Sequence, residues 1–208
     1  MSLFDFLKSK PKIGGQIAFF GLTDWWLNEF NEDERKHILK IFQPLGGSSK
    51  SLIEGEIAFT GQTAVGLLSA LAGWFKKEED RTIAYRMLSK AEELISDTKD
   101  ILDIHFFYQS KLEIYYRHRN NDPDALDNAI EACKQQIQMA HQAEKAFKDE
   151  YKNEPLPLHK GYEQLAIILE KQEKFDEAIA LCKEVVEQGW NGSWKKRIER
   201  CRKKKEKV

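Results

Sequence analysis

The stretch from residue 159 to 190, HKGYEQLAIILEKQEKFDEAIALCKEVVEQGW, constrains this fold more than any other part of the chain. Tyr162, Leu165, Ala166 and Leu169 recur at i, i+3, i+4 and i+7, the spacing of one face of an α-helix. A polar break over residues 171–174 follows. Phe175, Ala178, Ile179, Cys182 and Val185 then resume the same spacing. Gly189 comes just after the last periodic residues, where a glycine takes the left-handed conformation that ends a helix. Two helices joined by so short a turn lie antiparallel, each with an apolar stripe to bury.

This segment resembles the tetratricopeptide repeat. Tyr162, Leu165, Ala166 and Leu169 match the first helix of that family's pattern. Ala178 matches the small residue of its second helix, and Cys182 and Val185 follow it more loosely. Small residues such as Ala166 and Ala178 let two helix backbones approach closely. Glu173 stands where the family usually has glycine, and Trp190 where it usually has proline. The same template fits Leu68, Leu71, Ala72 and Phe75, followed by Ala84, Leu88 and Ala91, with KKEED as the turn. A third fit takes Phe107, Leu112, Tyr115 and Tyr116, then Ala129, Cys133 and Ile137. In it, Asp122 and Pro123 are read as cap and first-turn proline of the second helix.

The aligned alanines Ala84, Ala129 and Ala178 are spaced 45 and 49 residues apart, whereas a regular repeat of this kind takes about 34. Extra residues are therefore expected at 120–124 and between 140 and 158. The resemblance implies an all-α fold of tetratricopeptide-like antiparallel helix pairs with insertions, a single domain closed by a capping C-terminal helix. Residues 63–208 form the repeat-like domain around one continuous core, and residues 1–62 are N-terminal helices and loops packed on it. In the cap, Trp194, Ile198 and Cys201 share one face at i, i+4 and i+7, and such arrays need an end with a polar outer surface.

In the first sixty residues, 23–30 and 32–42 read as short helices. Asn31 caps the second, with Glu34 completing a capping box. An internal similarity links residues 15–23, GQIAFFGLT, with residues 55–63, GEIAFTGQT. Both copies are read as an extended loop that buries Ile and Phe, turns at Gly and ends on a threonine N-cap.

Lys plus Arg number 33 and Asp plus Glu 34, for a net charge of −1, so no global field draws the chain to nucleic acid or anionic membrane. The most apolar run, 63–75, spans roughly 20 Å as a helix, short of the ~30 Å hydrocarbon core, and reads as a buried central helix with no membrane span. Gly66, Ser69 and Gly73 give it a small-residue face for close packing. Three widely spaced cysteines, Cys133, Cys182 and Cys201, make neither a disulfide framework nor a zinc motif and fit a reducing, cytoplasmic setting. The N-terminus, MSLFDFLKSK, has Asp5 among its apolar residues and no long apolar run, unlike a secretory leader.

Residues that carry chemistry are sparse in pattern. No two of His37, His105, His118, His141 and His159 stand at i, i+4, and no phosphate-cradling glycine loop precedes a helix. Cys133 and Cys182 take the small core position of their helices. Accordingly no catalytic residue, cofactor or metal site is expected. The basic tail carries nine Lys or Arg between residues 195 and 207. It is read as a solvated helix end that complements the helix dipole, because aromatic residues for base stacking are missing beyond Trp194. The resemblance implies a non-catalytic module for a protein or peptide partner. A nucleic-acid-associated protein using the basic helix is the alternative, and an enzyme whose site is assembled only in the fold is a third reading. The first helix of the middle pair carries more aromatic residues than one buried stripe needs, so Tyr108 and Tyr115 with Arg119 are the candidate partner-binding residues.

Overall fold

The structure, a computed structural model, describes residues 12–207. The N-terminal stretch read above as lacking a leader therefore falls outside the described residues. The fold is all-α: among the described residues there are eleven α-helices, about 66% of these residues are helical when the two 3-10 turns are included, and only an isolated bridge between Leu158 and Asn191 pairs extended backbone. The chain divides into two compact units, one through Gly61 and the other from Gln62.

The first unit holds α1 (Gly15–Phe19), α2 (Thr23–Glu29), α3 (Glu32–Ile41) and a 3-10 turn at Ser49–Leu52. The expected capping box is present: the Asn31 side chain accepts from the Glu34 amide, and the Glu34 carboxylate accepts from the Asn31 amide. Ile17, Leu22, Trp26, Phe30, Ile38 and Leu52 are buried. The two similar segments do not share a conformation. Residues 15–19 are helical, whereas 55–63 are irregular, so the expectation of two extended loops fails for the first copy.

The reason lies at the glycines. Gly14 and Gly15 donate their amides to the carbonyls of Ile53 and Gly55, at 2.7 and 2.8 Å, and Gly15 sits at φ +58°. A Cβ on Gly15 would stand 2.4 Å from the Ser51 carbonyl. Gly55 has no such neighbour. The threonines diverge as well. Thr63 caps its helix by accepting from the Gly66 amide, but Leu22 holds the cap position of α2 and Thr23 is already inside it.

The second unit contains α4 (Ala64–Ala72), α5 (Arg81–Glu93), α6 (Ile101–Arg117), α7 (Ala125–Gln138), α8 (Ala140–Glu150), α9 (Lys160–Lys171), α10 (Phe175–Glu187) and α11 (Trp194–Lys205). Helices pack as successive pairs, α4 with α5, α6 with α7 and α9 with α10, and α11 closes on α10. Between pairs, α4 meets α6 and α7 meets α9. Ala84, Ala129 and Ala178 are all fully buried, one in each second helix. At Gly66 a Cβ would stand 2.6 Å from the Asp103 carboxylate, and that same carboxylate accepts from the Thr63 amide and hydroxyl. The small-residue face of α4 thus docks directly on the first turn of α6.

One expectation changes in this unit. The second helix of the middle pair begins at Ala125, so Asp122 and Pro123 form the turn before it and Pro123 is not in its first turn. The extra residues expected after 140 mostly form α8, which packs on α6. The cap behaves as its spacing suggests, with Trp194 and Cys201 buried and Ile198 packed against the core. No helix among the described residues is long and apolar enough to cross a membrane.

Candidate functional site

Between α7, α9 and α10 lies an open groove of about 600 Å³, the scale of a small-molecule or side-chain pocket. Ile130 of α7, Leu165, Ile168 and Leu169 of α9, and Ala180 and Leu181 of α10 line it. Its rim carries Asp127 and Lys134 on one side and Lys174, Glu177 and Glu184 on the other. The groove follows from the helix periodicities. The stripes of α9 and α10 are wider than the seam between those two helices, so Leu165 and Leu169 keep a sliver of exposure at 9% each while Ala178 and Cys182 are fully covered. On the rim, Glu184 is fixed by the Tyr162 hydroxyl, which donates to it at 2.5 Å, and by Gln188.

The candidate residues of α6 are not brought together. Tyr108 is half-buried beside a smaller hollow of about 350 Å³ with Ile104, Gln135, Gln138 and Met139. The Tyr115 ring lies 4.5 Å from that of Tyr85, and burial raises the pKa of its hydroxyl. Arg119 folds back over the Tyr116 ring at 4.2 Å and donates to the Tyr116 carbonyl at 2.7 Å. Lys171 reaches the Tyr116 hydroxyl at 3.0 Å. Tyr108 thus faces an open hollow, while Tyr115 and Arg119 are committed to packing within the unit. Phe106, not among those candidates, is 44% exposed and edges onto Phe147.

The cysteines are packing residues. All three are buried, and burial pushes the thiols of Cys133 and Cys182 up to about 12 and about 11, far from the thiolate needed for nucleophilic chemistry. Among the described residues no three His, Cys, Asp or Glu side chains converge as metal ligands. Two features escaped sequence reasoning because each joins residues remote in the chain. His105 and His159 are buried side by side, with ring centres 5.0 Å apart. Glu170, 9% exposed, receives Arg197, Arg200 and Lys204 from the basic helix at 2.8 to 3.0 Å. Arg200 and Lys204 hold its carboxyl down at about 2 despite its burial. The reading of the tail as a purely solvated end is thereby corrected: its inner cations build an ion-pair network.

Comparison of the chain with protein-family models, with curated proteins and with solved structures finds no match.

Proposed function

We propose that this protein is a non-catalytic module that binds a protein or peptide in the groove between α7, α9 and α10. The observation that carries the reading is the apolar floor of Ile130, Leu165, Leu169 and Leu181 beneath a rim of both charge signs. An apolar floor rewards a ligand with aliphatic or aromatic side chains. A mixed rim favours a partner that also carries both signs, as a peptide does, over a polyanion. The resemblance to helix-pair repeats adds weight, since grooves between their helices accept peptides and helices. The nucleic-acid alternative rests on α11, and Arg197, Arg200, Lys204 and Lys205 are already paired with Glu170 and Asp176. A cytoplasmic location belongs to the same proposal and rests on the three unpaired cysteines.

The test is selection of a displayed random-peptide library on the full chain. The reading expects enriched peptides with apolar residues at i, i+3 or i+4, and i+7. Their binding should fall at least tenfold on Ala180→Trp, which fills the groove from an exposed position. Enriched peptides indifferent to Ala180→Trp, or no enrichment, would contradict it.

A further inference from the structure

His105, on α6, and His159, at the N-cap of α9, are 1% and 0% exposed. Around them stand Trp190, stacked on His105 at 5.9 Å, and Phe147 and Tyr162, whose rings meet them edge-on. Gln136 of α7 ties the pair into the helix framework. Its amide nitrogen donates to the His105 carbonyl at 3.0 Å and lies 3.2 Å from His105 Nε2, and its oxygen accepts the Gly161 amide at 2.6 Å. A donor facing Nε2 makes that atom the acceptor and places the ring proton of His105 on Nδ1. His159 Nδ1 accepts the Tyr162 amide at 3.4 Å, which places its proton on Nε2. Those two nitrogens, His105 Nδ1 and His159 Nε2, are buried without a hydrogen-bond partner.

A second proton therefore has only two places to go, and each breaks a link between helices. On His105 Nε2 it opposes the Gln136 amide nitrogen, and turning Gln136 over would set that nitrogen against the Gly161 amide instead. On His159 Nδ1 it removes the acceptor that caps α9 and puts a cation at the positive end of a helix dipole. We propose that the His105–His159 pair is an acid-released latch, in which proton uptake by either ring detaches the first turn of α9, with the Trp190 loop, from α6 and α7.

The surroundings offer no carboxylate in compensation, and the backbone of Gln136 and of His159 itself only partly offsets the burial of His159. The other titratable side chain against the pair is Tyr162 of α9, whose hydroxyl is engaged by Glu184 of α10. Toward the pair α7 turns Gln136, α8 turns Phe147 and the loop between α10 and α11 turns Trp190, none of them charged. Burial accordingly lowers His105 to about 4, and burial with the neighbouring ring lowers His159 to about 3. An unfolded histidine takes its proton near 6.5. Both values being depressed, the pair's stability is complete above about pH 6.5 and is lost as pH falls toward 4. Because α7 and α9 also wall the groove, release would loosen it, a consequence that rests on the functional reading above. The latch itself is tested without any partner.

The experiment is an NMR titration of the full chain from pH 8 to 4.5, paired with amide exchange corrected for the intrinsic rate. The latch expects the His105 and His159 ring signals to stay flat through pH 6.5. Below pH 6 the Gly161 and Tyr162 amides should lose protection at least tenfold more than core amides of α4. In urea, the folded-to-unfolded ratio should fall up to about a hundredfold per pH unit for two protons, and His105→Leu with His159→Asn should flatten that slope. If the double variant fails to fold, the wild-type titration still decides. Ring signals with midpoints near 6.5, or protection lost equally in α4 and α9, would overturn the latch.

Discussion

Glu173 sits in the turn between α9 and α10 at φ +61°, in the left-handed region that glycine adopts freely. The Lys174 amide donates to the Leu169 carbonyl across it, closing the end of α9. The position was conspicuous in the sequence because the repeat pattern has glycine there, and the backbone gives the physical reason. Glu173→Gly should relieve strain and raise stability by about 1 kcal/mol, read as a higher urea midpoint with unchanged slope. Gly15→Ala should act oppositely. Its Cβ would meet backbone at Ser51, and a loss of about 2 kcal/mol or more is expected in the same measurement. Tyr115 tests the placement of α6: packed on Tyr85, its truncation to Ala should lower the melting temperature by several degrees, whereas a surface residue would leave it unchanged.

At the scale of elements, α11 is held by chemistry as well as by its apolar face. Glu170 of α9 gathers three cations of the capping helix while Trp194 and Cys201 enter the core. Glu170→Ala would leave Arg197 without its carboxylate in a largely buried position, with an expected cost of about 2–3 kcal/mol. Because the Glu170 carboxyl is depressed to about 2, its contribution is complete above the ordinary value near 4.3 and is lost as the pH falls toward 2. Acid unfolding of wild type and Glu170→Gln should therefore draw together as the pH falls from about 4.3 and converge only below about pH 2.

The helices themselves were legible from periodicity, since the faces of α9 and α10 are set by 3.6-residue spacing alone. Helix ends were less so. Asp122 and Pro123 look like a helix start, but Asp122 accepts from the Asp124 amide in a turn, and the helix waits for Ala125. The Gly-rich similarity misled for a tertiary reason: Gly15 is helical because residues 51–55 receive its amide, and no local pattern records that.

For the whole molecule, the groove and the histidine pair lay beyond the sequence for one shared reason. The groove needs α7 and the histidine pair needs α6, each brought to α9 from well upstream in the chain, so neither has a motif. Composition still limited the field, because a chain with net charge −1 concentrates any recognition in local surfaces. The central claim is that the groove of α7, α9 and α10 receives another polypeptide. Its most direct test is site-specific photo-crosslinking in cells, with the probe at exposed Glu177 on the groove rim and a control probe at exposed Lys196 on the outer face of α11. The account predicts a discrete adduct with another protein from position 177, absent from 196 and abolished by Ala180→Trp. Adducts equal at both positions, or unaffected by Ala180→Trp, would contradict it.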